Sequence, residues 1–305
     1  MPLMPLQHDS LTISACRQYL YQHLKQICQS PEHVQTEIFL ILEHVLKQSK
    51  TYLLAYPEET ISREDCLSIN HILNQRTTQR VPLQYILKEG WFYGHCFQVS
   101  PDVLIPRPET ECLIDHAIDI LKQNPELNSI LDMGTGSGCI AISLALAGAT
   151  QKEPLQITAT DISLKALKLA QKNAQKLLQN TATSPIQFHH QDGLSDLPPH
   201  SIDLLLSNPP YIPIDDAPTL QPEVSQHEPH NALFAHDKGL ALYKHIASEG
   251  HRILTEQGHI VVEFGENSEA VRDIFKKANY PFIQIHPDLS GRPRFLHAAK
   301  HALLQ

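Results

Sequence analysis

The residues most suited to chemistry form the tetrapeptide Asn208-Pro209-Pro210-Tyr211, which lies just after the apolar run Ile202–Leu206. Two consecutive prolines end a buried strand and stiffen the loop that leaves it. We expect the side-chain carbonyl of Asn208 and the backbone carbonyl of Pro209 to accept two hydrogen bonds from one planar amino group. Tyr211 would offer an aromatic face to the substrate or to a nearby cation. A stiff strand exit without chemistry is the plainer alternative.

A glycine-rich turn, Gly134-Thr135-Gly136-Ser137-Gly138, separates the strand-like run Ser129–Met133 from a predicted helix over Cys139–Ala147. Glycines allow a tight turn and let a ligand approach bare backbone. The spacing is G-x-G-x-G, which differs from the G-x-G-x-x-G of dinucleotide-binding loops. Asp132, directly before the glycines, is suited to anchor the ammonium group of an amino-acid tail. A turn whose glycines serve only packing is the alternative.

Two further strand-like runs also end in carboxylates. Asp161 follows Leu155–Ala159 and is placed to accept hydrogen bonds from two ribose hydroxyls. Asp192, with Gly193 beside it, follows Ile186–His189 and is placed to meet an adenine amino group. Carboxylates at successive strand ends are poorly explained by ordinary turns. The ligand that fits this pattern best is S-adenosylmethionine.

A methyl donor beside Asn208 predicts methyl transfer to a planar nitrogen. Such nitrogens are poor nucleophiles because their lone pair is delocalised into a carbonyl group or a ring. Two acceptors that hold both hydrogens favour the pyramidal transition state over the planar ground state. The nitrogen becomes strongly acidic only as the methyl group arrives, so we expect no catalytic histidine or glutamate. The tetrapeptide alone does not choose between protein amides and nucleic-acid bases.

Residues 1–80 are predicted to form a small helical domain. Ile38, Ile41 and Leu42 recur at helical spacing, and Ser62 begins a capping box before another helical pattern. We see no strand signal in this stretch, so a helical bundle is expected.

The sequence pattern changes over residues 81–108, where prolines and glycines interrupt short runs of aromatic and branched residues. This pattern predicts a hairpin or an extended linker and argues against helix. Residues 109–305 then alternate between apolar strand-like runs and helical patterns, the clearest of which spans Leu164 to Leu178 after an N-cap at Ser163. Such alternation predicts an α/β domain with a mostly parallel sheet.

Composition and net charge exclude some classes of protein. The 305 residues are 42% hydrophobic, enough for a sizeable core, and 24 basic against 33 acidic residues give a net charge of −9. This balance disfavours a stable nucleic-acid partner. No apolar run is long enough to span a membrane, and Met1–Asp9 lacks the features of an export signal. The six cysteines are scattered, which predicts reduced thiols in a cytoplasmic protein, and the scatter of the 19 histidines disfavours a metal site. We expect a monomer.

The segment Val103–Glu111 (VLIPRPETE), together with Leu131–Gly138, the tetrapeptide Asn208–Tyr211 and the pair Glu228-Pro229, resembles the peptide chain release factor N5-glutamine methyltransferases. The likeness extends over nearly the whole chain, because the helical stretch Glu37–Pro57 is similar to the N-terminal domain of that family.

This resemblance implies a Rossmann-like class I methyltransferase domain with a seven-stranded mixed sheet, joined by a hairpin to the N-terminal helical domain. It implies S-adenosylmethionine as methyl donor, bound by Gly134–Gly138, Asp161, Gly193 and Asn208. The acceptor would be the glutamine of a Gly-Gly-Gln loop in class-1 release factors, bound by Asn208–Tyr211. The N-terminal domain would recognise the release factor.

Two departures from the family pattern concern the hairpin and the adenine contacts. Trp91 precedes Phe92-Tyr93-Gly94 where the family usually has glutamate, and Gly193 stands where a larger side chain is common. Three alternatives stay open: a ribosomal-protein glutamine as acceptor, adenine-N6 methylation of nucleic acid, and a binding protein that has lost activity.

Several single residues carry weaker expectations. Arg107 and Glu109 are expected to fix the linker to the cofactor domain, and Thr110 to contact the donor. Trp91 is expected to pack between domains, and Cys139 to be a buried thiol. The proline-rich stretch 212–238 has little periodicity, and we expect it to cover the glutamine and contact the protein partner.

Overall fold

The computed structural model describes residues 11–148, 155–179 and 185–302, and the chain divides into two compact units. The N-terminal unit extends to Lys88 and includes Pro222–His227, whereas the second unit comprises Glu89–Gln221 and the chain from Glu228 onward. The division therefore falls inside the segment 81–108 that the sequence marks as a linker.

The N-terminal unit is mainly helical, as the sequence predicts. Its elements before residue 88 are β1 (Leu11–Thr12), α1 (Ile13–Leu24), α2 (Pro31–Leu46), α3 (Lys50–Ala55), β2 (Thr60–Ile61), α4 (Arg63–Thr77) and α5 (Leu83–Leu87). The N-cap of α4 is Ser62, whose hydroxyl accepts from the backbone N–H of Asp65 at 3.1 Å.

Two expectations for this part of the chain were wrong. β1 and β2 form an antiparallel pair within a stretch where no strand is predicted. Two residues per strand are too few to leave a periodic signal. α5 lies inside the segment for which helix is disfavoured, and its N-cap is Pro82, because proline fits well at the start of a helix.

The second unit holds the sheet and most of the remaining helices. Its elements, with α9 interposed in chain order, are β3 (Glu89–Phe92), β4 (His95–Gln98), a 3-10 helix (Pro108–Thr110), α6 (Glu111–Gln123), β5 (Ser129–Met133), α7 (Cys139–Gly148), β6 (Gln156–Asp161), α8 (Leu164–Leu178), β7 (Gln187–His190), β8 (Ile202–Ser207), β9 (Ile212–Pro213), a 3-10 helix (Ile214–Thr219), α9 (Pro222–His227), α10 (His230–Leu233), β10 (Phe234–Ala235), α11 (Ala241–Ile253), β11 (Leu254–Glu263), α12 (Ser268–Lys277), β12 (Phe282–Pro287) and β13 (Pro293–Ala299). The hairpin β3–β4 confirms that part of the linker prediction.

Seven of these strands form one mixed sheet in the order β12-β13-β11-β8-β5-β6-β7. The strands β11, β8, β5, β6 and β7 are parallel neighbours, and β13 runs antiparallel to both β11 and β12. From β5 the chain proceeds outward through β6 and β7, and then returns to place β8 on the other side of β5. The switch point of the sheet therefore lies between β5 and β8, where open α/β sheets bind their ligands.

Alternate residues of the central strands face two separate apolar cores. Ile130 and Leu204 pack on the side covered by α6, α7 and α8, whereas Leu131 and Leu205 pack on the side of α11 and α12. Burial on both faces explains why these strands are short continuous apolar runs rather than alternating ones.

The stretch 212–238 has more structure than its sequence suggests. β9 and β10 pair in parallel, with Ile212 opposite Phe234, and short helices fill the segment between them. Within it, α9 belongs to the N-terminal unit. Trp91 on β3 is 60% exposed, and the expectation that it packs between domains stays a prediction. Across the described ranges, no helix combines the length and apolar character that crossing a membrane requires.

Candidate functional site

The loops after β5 and β8 open into a cavity of about 490 Å³ at the switch point of the sheet. Its lining includes the glycine loop, Asp161 at the end of β6, Asp192 after β7, and Asn208 after β8. A volume of this size suits a ligand as large as a nucleoside with a side chain. The sheet thus brings together the strand-end residues that the sequence selects.

The three loop glycines serve two purposes. Gly134, Gly136 and Gly138 all have positive φ, at 74°, 56° and 83°. A Cβ on Gly138 would lie 2.9 Å from Cδ1 of Ile142, so this glycine is needed for close packing of α7. A Cβ on Gly134 or Gly136 would meet no atom within 4 Å. These two glycines leave open space beside the backbone, which a ligand can occupy.

Asp132 holds the glycine loop from below instead of facing the cavity. Its side chain is fully buried, and Oδ2 accepts from the Thr135 hydroxyl at 2.6 Å and from the Ala141 backbone N–H at 3.1 Å. Burial raises the pKa of this carboxyl to about 7. Asp132 is absent from the cavity lining, but its Oδ1 is buried with no hydrogen-bond partner in the described chain. The contact with a ligand's ammonium group stays a prediction.

Thr135 and Ser137 are also turned inward, with 3% and 2% exposure. Both still contribute to the wall of the cavity, together with the glycines between and beside them. The backbone N–H groups of Gly134 and Thr135 donate to the Thr160 carbonyl at 2.9 Å, which ties the loop to the end of β6.

Asp161 lies in the cavity wall and fixes the loops on either side of it. Oδ2 accepts from the Gly136 backbone N–H at 2.9 Å, and Oδ1 accepts from the Ser163 N–H at 2.8 Å. Burial raises the pKa of this carboxyl, although both hydrogen bonds oppose the rise. Each oxygen keeps a further lone pair, which is what a pair of ribose hydroxyls requires.

Replacing Asp161 by asparagine is expected to raise the KM for the donor about tenfold or more, because a neutral amide must turn its NH₂ toward one of two backbone N–H donors. The change in kcat at saturating donor should be smaller. Steady-state kinetics at varied donor concentration measure both, and Asp196→Asn, outside the cavity, is the control. An unchanged KM would contradict the assignment of Asp161 to donor binding.

Asp192 is exposed at the rim of the cavity, and Gly193 beside it has a φ of 71°. A Cβ on Gly193 would lie 2.5 Å from Nε2 of His245, which accepts from the Leu194 backbone N–H at 3.1 Å. The space that a larger side chain would need is therefore occupied by His245. This explains the departure at Gly193 without disturbing the strand end itself.

Asn208 has its amide orientation fixed by two buried residues. Its Nδ2 donates to the Thr110 hydroxyl at 3.1 Å, and that hydroxyl donates to Oε2 of Glu263 at 2.6 Å. Because the single proton of Thr110 goes to Glu263, its oxygen can only accept from Asn208. The amide nitrogen of Asn208 is therefore engaged by Thr110, and Oδ1 is left to accept. We call Asn208, Thr110 and Glu263 the amide relay.

Glu263 is the member of the amide relay that sequence reasoning missed. It ends β11, the strand next to β8, and is 1% exposed. Burial raises the pKa of its carboxyl to about 7, against the lowering effect of the Thr110 bond. Glu263 could have been found from the sequence, because it is a carboxylate at the end of an apolar run. Thr110 lines the cavity, but its hydroxyl is used within the relay.

Pro209 and Pro210 line the cavity, whereas Tyr211 does not. The Tyr211 ring lies in a small adjacent cavity with Tyr243 and Phe264, and burial raises the pKa of its hydroxyl to about 12. The expectation that Tyr211 presents its ring to the substrate or to a cation stays a prediction. The ring packs over Gly265, where a Cβ would lie only 3.0 Å from it.

Arg107 lines the cavity and pairs with Glu228 at 2.5 Å, while Glu109 is exposed. Arg107 thus bonds to Glu228 of the motif pair Glu228-Pro229, and the expectation that Arg107 and Glu109 fix the linker stays a prediction. Burial raises the pKa of Glu228, and the Arg107 guanidinium opposes the rise. Cys139 is half-buried in the cavity wall, and burial raises the pKa of its thiol to about 12. This thiol stays protonated.

Comparison with known proteins identifies the family. The Enterococcus faecalis (strain ATCC 700802 / V583) protein named release factor glutamine methyltransferase is 39% identical over 248 residues, which cover 80% of this chain and 85% of that protein. The chain belongs to the release factor glutamine methyltransferase family. Consistently, residues 17–87 match the PrmC N-terminal domain, and residues 110–220 match the Methyltransferase small domain.

Some relatives of this family are longer. The bifunctional methyltransferase of Rickettsia bellii (strain RML369-C) is 34% identical over 286 residues, and the chain spans only 50% of that protein. Among solved structures, the hMettl16 catalytic domain in complex with MAT2A 3'UTR hairpin 6 gives a TM-score of 0.53 at 15% identity, covering 81% of this chain and 87% of that one. That likeness shows a shared fold.

As a release factor glutamine methyltransferase, the protein is an S-adenosylmethionine-dependent enzyme. The cavity fits this donor on its own geometry, because Gly134 and Gly136 leave room for a ligand against bare backbone. Asp161 lies in the same wall of the cavity. That its carboxylate accepts hydrogen bonds from the ribose hydroxyls stays a prediction. The position of Asp192 relative to adenine stays a prediction.

Proposed function

We propose that this protein transfers a methyl group from S-adenosylmethionine to the side-chain amide nitrogen (N5) of the glutamine in the Gly-Gly-Gln motif of class-1 release factors. The observation that carries the proposal is the amide relay, which leaves Oδ1 of Asn208 to accept a hydrogen bond at the cavity. The name of the Enterococcus faecalis relative supports the acceptor. We further propose that the reaction takes place in the cytoplasm with a monomeric enzyme.

When bound, the donor supplies a methyl carbon made electrophilic by its sulfonium. Oδ1 of Asn208 and the carbonyl of Pro209 accept the two N–H groups of the substrate amide and so aim its nitrogen. The amide nitrogen would form the new N–C bond as the C–S bond breaks, which would leave the sulfur as a neutral thioether, and one amide proton would pass to solvent water as the nitrogen gains positive charge. Acceptors for these protons stabilise that charge most in the transition state, which raises kcat.

The amide relay is tested by Thr110→Val, a substitution of similar shape that removes the hydroxyl. Asn208 would lose the acceptor for Nδ2, so both orientations of its amide become accessible. We expect kcat to fall roughly 10- to 100-fold while the donor Kd changes less than threefold, because the lost hydrogen bonds are worth about 1–3 kcal/mol. The control is Thr110→Ser, which keeps the hydroxyl and should keep most of the activity. Equal losses in both variants would contradict the relay.

The relay also predicts a dependence on pH. Below a pH of about 7 the raised pKa of Glu263 lets it take up a proton and donate to Thr110. Glu263 then no longer holds the Thr110 proton, so the hydroxyl can either donate to Oδ1 or accept from Nδ2, and the amide orientation of Asn208 is no longer fixed. The kcat of the wild type should therefore fall as pH drops through 7, at up to about tenfold per pH unit.

Glu263→Gln keeps an acceptor oxygen for Thr110 but does not titrate. The ratio of wild-type kcat to variant kcat should therefore rise between pH 6 and pH 8 and then level off. A ratio that is constant over this range would contradict the role of Glu263. Groups other than Glu263 titrate alike in both enzymes and in the acceptor, so their effect on kcat cancels in the ratio.

The proposed acceptor is tested by incubation with radiolabelled donor and three acceptors in parallel: a class-1 release factor, a ribosomal large subunit and duplex DNA. We expect label in the release factor alone, at the glutamine of the Gly-Gly-Gln motif. A free Gly-Gly-Gln peptide should react with a much higher KM than the whole factor if the N-terminal unit and residues 212–238 contact the protein partner. Label in either other acceptor would contradict the proposal.

A further inference from the structure

A cluster of histidines lies outside the cavity, although the histidines of the sequence are scattered. His116 on α6, His286 on β12 and His297 on β13 each offer a ring nitrogen, and these atoms lie within 4.8 Å of one another. Nε2 of His116 and Nδ1 of His297 are 3.1 Å apart. We call these three residues the histidine cluster. None of them lines the cavity of the active site.

The register of the sheet explains how the cluster forms. On β13, His297 lies two residues from Phe295, which is opposite His286 on β12. Since side chains two apart share a face of a strand, His286 and His297 are diagonal neighbours on one face. Helix α6 places His116 against that face, with its ring centroid 4.2 Å from that of His286 and 4.9 Å from that of His297.

A fourth histidine orients the most buried member of the cluster. Nδ1 of His259 lies 2.9 Å from Nε2 of His297. In a neutral imidazole one nitrogen donates and the other accepts. When Nε2 of His297 donates to His259, Nδ1 of His297 presents its lone pair toward His116. A ligand nitrogen whose partner N–H is held by a neighbouring acceptor is the usual arrangement in metal sites.

Two further observations favour an ion over packing alone. Nε2 of His286 is buried and has no hydrogen-bond partner in the described chain, an arrangement that native proteins seldom leave unexplained. His116 and His286 are half-buried, which leaves solvent access for an ion.

We propose that His116, His286 and His297 bind one borderline transition-metal ion, zinc(II) in the first place, with a fourth position for water. Imidazole nitrogens are ordinary zinc ligands, and a tetrahedral site with Zn–N distances of about 2.0–2.1 Å puts neighbouring nitrogens roughly 3.3 Å apart. The pair at 3.1 Å already meets this spacing. The ion would tie the last two strands to α6, which is a structural role apart from the methyl transfer.

A second group with possible ligands serves as a control. Cys28, His33 and Glu37 of the N-terminal unit also lie within 4.8 Å of one another. Glu37, however, is bonded to Arg76 at 2.9 Å. A carboxylate that a guanidinium already engages makes this group the weaker metal site. His33→Gln therefore provides a matched histidine substitution elsewhere in the chain.

The experiment uses the full-length protein, stripped of metal by a chelator and then titrated with zinc chloride in competition with a chromogenic chelator. We expect one zinc per chain, a rise in Tm on zinc addition, and a loss of affinity of about tenfold or more in His116→Gln and in His286→Gln. His33→Gln should bind as the wild type does. Circular dichroism of each variant without metal verifies that it is folded.

Cobalt(II) in place of zinc reports the ligand types directly. The proposal predicts visible bands of a nitrogen- and oxygen-ligated ion and no near-ultraviolet thiolate charge-transfer band. A thiolate band, or a loss of binding in His33→Gln alone, would assign the metal to the Cys28 group and overturn the proposal. Absence of zinc binding, or equal affinity in the wild type and both cluster variants, would overturn it in favour of a purely aromatic packing cluster.

Discussion

Replacing Asn208 by alanine is expected to lower kcat by roughly 10²- to 10³-fold, the usual effect of removing one group that stabilises charge in a transition state. The side-chain amide supplies one of two acceptors for the substrate –NH₂, and without it the substrate nitrogen is held at one hydrogen only. The donor contacts of Gly136 and Asp161 are unaffected, so the donor Kd should change less than threefold. Single-turnover kinetics and calorimetric donor binding measure the two effects separately.

Asn267→Ala is the matched control for this variant, because it makes the same chemical change outside the main cavity. It should retain the kcat of the wild type. If Asn208→Ala kept full turnover, the role of the tetrapeptide in catalysis would be wrong. If its donor affinity fell in parallel with kcat, Asn208 would hold the donor and not the acceptor amide.

Replacing Glu223 by alanine is expected to lower the free energy of unfolding of the N-terminal unit by about 3–5 kcal/mol, because it leaves a buried guanidinium short of a partner. Arg76 is 4% exposed and donates to Glu37 at 2.9 Å and to Glu223 at 2.5 Å. Arg80 donates to the other oxygen of Glu223 at 2.7 Å. Two carboxylates thus balance two guanidiniums inside this unit.

The same network predicts the pH range of this stability. Burial acts to raise the pKa of Glu223, but the bonds from Arg80 and Arg76 outweigh it and lower that pKa to about 2. A carboxyl whose pKa is lower in the folded state stabilises that state above its unfolded pKa of about 4.5, and the contribution is lost as pH falls toward 2. At pH 7 the full effect should be present.

Urea unfolding followed by far-ultraviolet circular dichroism measures this change. The control is Glu58→Ala, which replaces an exposed glutamate of the same unit. Glu58→Ala should change the free energy of unfolding by less than about 0.5 kcal/mol. If Glu223→Ala were as stable as the wild type at pH 7, the cost of burying Glu223 and its arginine partners would equal the free energy gained from their attraction.

Much of the fold could be predicted because its signals are local. Four of the sheet strands, β5 to β8, appear as short apolar runs, and the observed strands overlap all of them, with shifts of one or two residues at their ends. The helix Leu164–Leu178 has the predicted bounds, and its N-cap Ser163 accepts from the Ala166 backbone N–H at 3.2 Å. Parallel order then follows from the short crossovers, and so the strand ends meet at one edge.

The direction of a side chain at a strand end could not be predicted in the same way. A sequence places Asp132 and Tyr211 near the site, but which face each presents depends on the pleat and on neighbours from other elements. Asp132 points below the loop to Ala141, and Tyr211 packs toward Phe264. The partners of Arg107 and Asn208 come from residues 121 and 98 positions away, respectively, and leave no local signal.

The most direct test of the account is a crystal structure of the enzyme with S-adenosylhomocysteine and a Gly-Gly-Gln peptide. We expect the glutamine amide nitrogen to lie about 2.7–3.2 Å from both Oδ1 of Asn208 and the carbonyl oxygen of Pro209. The nitrogen should face the sulfur of S-adenosylhomocysteine. Nδ2 of Asn208 should still donate to Thr110. An amide bound elsewhere, or an Asn208 that turns Nδ2 toward the substrate, would contradict it.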